Sequence, residues 1–270
     1  MRALIVVPTL NEVAHLEGVV TSLLDGLSPA TSARLAIVDG GSSDGTVALA
    51  RRLAEAHPPV TLLHNPRRIQ SVALNLAVRQ LGADAEVLIR CDAHAEYPPG
   101  FCERLLATLE RTNADAVVVP LDSQGERGLE RVVAWVSNSA VGTGGAAHRA
   151  GKVSGFVDHG HHAAFRMDVF RRSGGYDESF THNEDAELDC RQRALGARVF
   201  LDAEIRVIYR PRASLASLCR QYFKYGAGRS RTVRRHPGSM RVRQIALPIN
   251  LTVSSLAVIV SPWQPALLSW

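Results

Sequence analysis

Residues 33–46 read ARLAIVDGGSSDGT. Its first half holds the apolar run Leu35–Val38, which reads as the centre of a strand over Ala33–Asp39 that Gly40-Gly41 brings to a stop. A helix then fits Thr46–Ala56, with Ser43 or Asp44 placed to accept its first N–H groups. A strand that passes into a helix through a polar, glycine-rich turn is half of a βαβ unit. The same rhythm continues on both sides. Ala3–Pro8 is a strand and Val13–Leu24 a helix. Downstream, strands fit Val60–His64, Glu86–Asp92 and Ala116–Pro120, with helices over Gln70–Leu81 and Pro99–Arg111. Strands alternating with helices predict an α/β fold, a single mainly parallel sheet flanked by helices.

After Pro120 the rhythm breaks. Residues 121–162 are rich in Gly, Ser and His. A short strand and helix fit Ala163–Ser173, stopped by Gly174-Gly175. A helix fits Ala186–Leu195, with Gly196 beyond its end. Val199–Leu201 and Arg206–Ile208 read as short strands and Leu215–Tyr225 as an amphipathic helix.

Composition narrows the class. With 270 residues, 46% of them hydrophobic, the chain can bury one large core, with or without an appendage. Cys91, Cys102, Cys190 and Cys219 make no CxxC pair, which argues against a disulfide framework or a structural zinc site and for reduced thiols. The apolar run at residues 3–7 is too short for a secretory signal. Charge is distributed unevenly. Of 31 Lys and Arg, eleven lie between Arg206 and Arg243, and the last acid is Glu204. The first 205 residues therefore hold 20 bases against 26 acids. A mildly acidic body with a basic tail implies an anionic partner surface. Ile245–Trp270 carries no charge but is interrupted by Pro248, Asn250, Pro262 and Pro265. Its Ile245–Val260 part falls short of the ~20 residues that cross a bilayer. It is expected to lie in the membrane interface, or to begin a span that continues past Trp270.

Ligands of open α/β sheets sit beyond the carboxyl ends of the strands. Here those ends carry Thr9, Asn11 and Glu12; Asp39; the Asn65–Arg68 segment; and Asp92-Ala93-His94. No GxGxxG follows the first strand and no phosphate-binding Gly-rich loop with Lys is present, so a dinucleotide or P-loop reading fails. Asp39 ends its strand where a carboxylate can accept a base N–H. Asp92 and His94, two residues apart at a strand exit, can converge on one Mn²⁺ or Mg²⁺ completed by water and phosphate oxygens. The spacing of His159-Gly160-His161-His162 is not that of a zinc protease, and it reads as structural or acceptor-lining. Trp135 fits either stacking on a sugar or core packing, and Cys91 fits buried packing.

These residues resemble the family 2, GT-A type glycosyltransferases. The family pattern is a first strand ending P-x-x-N-E, a second ending D-(D/G)-G-S-x-D-G-T, a D-x-D-like element, and a G-E-D-like tripeptide opening a helix. The matching stretches are Pro8-Thr9-Leu10-Asn11-Glu12, Asp39–Thr46, Asp92-Ala93-His94 and Asn183-Glu184-Asp185. The likeness covers about residues 3–225 and extends to membrane-associated transferases of bacterial exopolysaccharide (succinoglycan-type) synthesis. Two departures stand out: His94 replaces the second D-x-D carboxylate, and Gln221–Tyr225 only loosely echoes the Q-x-x-R-W of processive synthases.

The resemblance implies a GT-A catalytic domain over 1–210, with a nucleotide-sugar half over 1–120 and an acceptor half over 121–210. Residues 211–270 become a membrane-associating segment. Pro8, Thr9, Asn11, Glu12, Asp39, Arg67, Arg68, Asp92 and Ala93 would bind the nucleotide sugar. Asp92 and His94 would hold Mn²⁺ or Mg²⁺, Asp185 would be the catalytic base, and Glu184, His161, His162 and Trp135 would line the acceptor site. The implied activity is inverting transfer of a glucose- or glucuronate-type sugar from a UDP-sugar to a polyprenyl-diphosphate-linked saccharide. The implied place is the cytoplasmic face of the inner membrane, against an anionic surface and without nucleic acid. A processive β-glycan synthase is the alternative enzyme. A nucleic-acid-binding protein using the basic tail, with Tyr222, Phe223 and Tyr225 available for stacking, is the alternative of another class.

Overall fold

The computed structural model describes residues 1–139, 153–212 and 214–260. Its first half follows the expected alternation: β1 (Arg2–Thr9), α1 (Leu16–Leu24), β2 (Ser32–Asp39), α2 (Thr46–Ala56), β3 (Val60–His64), α3 (Gln70–Leu81), β4 (Val87–Arg90), α4 (Phe101–Thr112) and β5 (Ala116–Val119). The second half contains β6 (Leu121–Ser123), α5 (Gly128–Asn138), β7 (Gly155–Val157), β8 (His161–Arg166), α6 (Met167–Arg172), α7 (Glu184–Ala194), β9 (Val199–Leu201), β10 (Val207–Tyr209), α8 (Leu215–Arg235) and α9 (Val242–Val260).

Eight strands form one sheet in the order β3-β2-β1-β4-β8-β5-β9-β7, and β10 pairs with β6 in a small second sheet. Side chains alternate across β1, and each face carries its own core. Ile5 and Val7 pack with Leu16 and Leu23 of α1, Leu49 of α2 and Leu105 of α4. Leu4 and Val6 pack with Leu74 of α3, Phe170 of α6 and Leu188 of α7. The result is a helix–sheet–helix sandwich whose central strands are buried on both sides, which is why they read as unbroken apolar runs.

Two features depart from the sequence reading. β5 does not lie beside β4. β8 intervenes, antiparallel to both. An antiparallel strand starts where its parallel neighbours end, so His161 arrives at the carboxyl edge of β4. In addition, the N-cap of α2 is Gly45 at φ 100°, not Ser43 or Asp44. The Asp44 carboxylate still accepts the Thr46 N–H at 3.0 Å, from one position further out. Gly174, Gly175 and Gly196 occupy the left-handed region expected of chain-reversing glycines. All four cysteines are free, with Cys91 and Cys102 buried.

Contacts cluster into two units, Met1–Ser230 and Arg231–Trp270. Among the described residues no helix is long and apolar enough to cross a membrane.

Candidate active site

The carboxyl ends of β1 and β2 are tied together by the two motifs that follow them. Asp39 is buried. One carboxylate oxygen accepts the Gly41 and Ser42 N–H groups at 2.7 and 3.0 Å, and the other takes the Ser42 hydroxyl. Ser42 in turn accepts the Asn11 N–H at 2.8 Å, and Asn11 accepts the Ser43 N–H at 2.9 Å. The Glu12 N–H donates to Thr46 Oγ1 at 2.8 Å. Asn11 can play this part because it sits at φ 59°, a conformation its short polar side chain tolerates.

Beside this turn lies a cleft of about 170 Å³ lined by Pro8, Thr9, Glu12, Arg68, Asp92, Ala93 and His94, among others. Asp39 and Asn11 do not line it. Their polar groups hold the turn that shapes its wall. Arg67, expected to contact the nucleotide, instead points to Glu178 at 2.6 Å. Arg68 takes the cleft position, lying across Gly41. The Thr9 hydroxyl is buried without a hydrogen-bond partner in the wall of this cleft.

A second cavity of about 680 Å³ adjoins it, and Gln70, Asp92 and His94 line both. Its walls include Arg90, His159, His161, Glu184, Asp185, Arg212, Arg220, Gln221 and Lys224. Strand alternation explains the centre. Arg90 and Asp92 follow Leu88 on the β4 face covered by α3 and α7. Gln70, the first residue of α3, donates to Asp92 at 2.9 Å. Asp185, in the first turn of α7, meets Arg90 at 2.5 Å. The same guanidinium lies 3.5 Å from Asp92 and 3.9 Å from Glu184. Tyr176 donates to the other oxygen of Asp185 at 3.1 Å.

Arg90 was not apparent as a site residue in the sequence. The available signal was a lone charge closing an otherwise apolar strand, which requires buried counter-charges.

Electrostatics separate the carboxyls. Burial acts to raise the Asp92 carboxyl, but Arg90, His161 and His94 together hold it below its ordinary value. Burial, reinforced by the charge of Asp185, pushes Glu184 up to about 7, with Arg90 only partly opposing. Its hydrogen bond to Glu12 at 3.0 Å raises the His94 imidazole.

The remaining expected acceptor residues divide. His161 lines the larger cavity, its Nε2 3.6 Å from Asp92. His159 also lines it and is bound to buried Asp189 at 2.5 Å. The His162 side chain lies outside the described residues. Trp135 is 74% exposed and lines neither cavity, so it serves neither core packing nor, in this arrangement, the acceptor wall. Its helix presents Val133 and Ser137 to the cavity instead.

For a divalent cation, Asp92 and His94 are the protein donors at the seam. Among the described residues no cluster of three His, Cys, Asp or Glu could hold a metal. The pair nevertheless fits a site completed by ligand phosphates and water. Glu12 holds Nδ1 of His94, and Nε2 would be the nitrogen left to meet a cation.

An open α/β sheet flanked by helices, with a polar cleft at its switch point and buried carboxylates beside it, is the GT-A architecture. The Glycosyl transferase family 2 profile matches residues 4–174, and the chain belongs to that family. It is therefore an enzyme of the transferase class. It is 47% identical over 247 residues to the succinoglycan biosynthesis protein ExoA of Rhizobium meliloti (strain 1021), covering 92% of this chain and 74% of that protein. The fold matches the mannosyltransferase PcManGT from Pyrobaculum calidifontis in complex with GDP-Man and Mn²⁺, with a TM-score of 0.59, 19% identity, and coverage of 99% of this chain and 84% of that one. It also matches S. aureus TarS 1-349 in complex with UDP-GlcNAc, with a TM-score of 0.60 and 15% identity over 80% of this chain. This chain spans 61% of that TarS structure, less than two thirds of its length.

Proposed function

We propose that the chain transfers a glucose- or glucuronate-type sugar from a UDP-sugar to a polyprenyl-diphosphate-linked saccharide in exopolysaccharide synthesis, with inversion and one sugar per acceptor. The observation that carries this reading is Arg90. One buried guanidinium joins Asp92, at the mouth of the nucleotide cleft, to Glu184 and Asp185 in the larger cavity. A donor sugar and an acceptor hydroxyl meeting in that cavity lie between the two sets of carboxylates. The ExoA likeness supports the pathway, and the TarS complex with UDP-GlcNAc supports a UDP-sugar donor.

In this mechanism the smaller cleft takes the base, and the diphosphate reaches the seam. A Mn²⁺ or Mg²⁺ held there by Asp92 and His94 would neutralise the departing diphosphate. Asp185 accepts the acceptor's proton as its oxygen attacks the anomeric carbon, with Arg90 and Tyr176 fixing the carboxylate in place. Glu184, ionised above about pH 7, adds a like charge beside Asp185 and so raises its proton affinity. The basic tail and α9, which exposes Ile249, Leu251, Val253 and Val258, support attachment at the cytoplasmic face of the membrane.

The test is mass-spectrometric assay of sugar transfer from a panel of UDP- and GDP-sugars to extracted bacterial polyprenyl-linked saccharides, with and without Mn²⁺. Transfer of a single sugar from one UDP-sugar is expected. No turnover of any nucleotide sugar would sink the reading.

A further inference from the structure

The larger cavity has walls of opposite charge. Asp92, Glu184 and Asp185 cluster around Arg90 on one side. From α8, Arg220 and Lys224 line the same cavity, one helical turn apart. No acid follows Glu204 in the sequence, so their own helix offers no i,i+4 counter-charge. Among the described residues, no carboxylate pairs with either cation.

Their position is fixed by packing. A Cβ on Gly228 would meet the His182 carbonyl oxygen at 2.5 Å, so α8 crosses the turn ahead of α7 with its backbone in close contact. Gln221 donates to the hydroxyls of Tyr209 and Tyr225 at 3.0 and 2.9 Å. Lys224 is one turn back from Gly228, and burial together with the Lys224 charge depresses the His182 imidazole. The two cations thus stand next to the head of α7. Neither lines the nucleotide cleft, whereas Asp92 and His94 line both cavities.

We propose that Arg220 and Lys224 form a diphosphate-binding site for the lipid-linked acceptor, separate from the site of the donor's diphosphate; this rests on the transferase reading above. A guanidinium offers paired N–H donors to phosphate oxygens and an ammonium adds a point charge. The carboxylate wall repels a diphosphate and accepts hydroxyls. The acceptor is thereby oriented with its anionic end on α8 and its saccharide at Glu184 and Asp185.

The probe is geranyl diphosphate, titrated calorimetrically into the full chain saturated with UDP and Mn²⁺. Binding is expected on top of UDP. Arg220→Ala and Lys224→Ala should each weaken it by about 10–100-fold, the loss of one charge-assisted hydrogen bond. Lys224→Arg should retain it, and UDP affinity should stay within about twofold in every variant. Both side chains are exposed, so the variants are expected to fold, which thermal melting checks. Displacement of geranyl diphosphate by UDP, or an equal fall in UDP affinity, would overturn the proposal by assigning the cations to the donor. Unchanged geranyl diphosphate affinity in both alanine variants would overturn it outright. The titration reads binding alone. A chain that binds the probe as expected yet turns over no nucleotide sugar refutes the donor and acceptor proposed above, while diphosphate binding by Arg220 and Lys224 stands.

Discussion

At the scale of single residues, Glu184 and Asp185 are sequence neighbours with opposite surroundings. Arg90 and Tyr176 claim both oxygens of Asp185, while burial and that neighbouring charge raise Glu184 to about 7. Asp185→Asn should lower turnover by ~10²–10⁴-fold with donor affinity retained. Full activity in a folded variant would remove Asp185 from the mechanism. The pH profile belongs to Glu184: kcat/KM should rise with pH through about 7, and Glu184→Gln should flatten that limb. Stability gives an independent reading. Between the ordinary glutamate value and about 7, the folded chain holds a proton that the unfolded chain has released, so Glu184 costs stability as pH rises through that window. Melting of Glu184→Gln should match wild type near pH 4.5 and exceed it at pH 8. Equal melting at both pH values would mean that Glu184 titrates normally. In the proposed metal site Asp92 and His94 are the donors and Glu12 orients His94. Glu12→Gln should weaken Mn²⁺-dependent UDP binding by about 10–100-fold, as loss of an outer-shell contact does. If UDP binds equally well in EDTA, Asp92 and His94 hold no metal.

At the scale of elements, the site depends on two placements. β8 enters between β4 and β5 and delivers His161 to the edge where Asp92 emerges. The other is the crossing of α8 over the turn before α7 at Gly228. Gly228→Ala forces a Cβ against the His182 carbonyl, an overpacking that typically costs ~1–3 kcal/mol. The expected outcome is a lower melting temperature and impaired transfer, with UDP affinity preserved because the nucleotide cleft lies among other elements. A loss of UDP binding equal to the loss of transfer would show that the cleft also depends on α8.

At the scale of the molecule, charge and apolar exposure are concentrated at the C-terminal end. The chain has eleven bases between Arg206 and Arg243 and no acid beyond Glu204. Arg212, Arg220, Lys224 and Arg229 line the larger cavity, and the tail as a whole adds a positive field beyond it. Each base that reaches such a surface contributes roughly 1 kcal/mol. The full chain should float with vesicles containing phosphatidylglycerol, and much less with neutral phosphatidylcholine vesicles. Raising salt to about 1 M, where the screening length falls to ~3 Å, should release the electrostatic part. Equal flotation with both lipids would leave α9 alone as the anchor.

The β1–β5 alternation and the motifs at the strand ends were legible in the sequence because each is local: a strand's apolar run and a glycine stop lie within a dozen residues, whereas Asp185 stood out from its neighbouring first-turn acids only through the family resemblance. Other features required distant segments to meet. Asp39 closes its own turn through Gly41 and Ser42, a local contact, but that Asn11 from the end of β1 locks onto that turn at Ser42 and Ser43 depends on two strands lying side by side. Arg67 and Arg68 are equivalent in sequence, and only Glu178, more than a hundred residues away, decides which one faces the cleft. Arg90 gains its meaning from Asp185, brought to it by a helix from the other half of the chain. Local propensity and periodicity act over a few residues, whereas an active site is assembled by sheet order and helix packing, which only the tertiary structure decides.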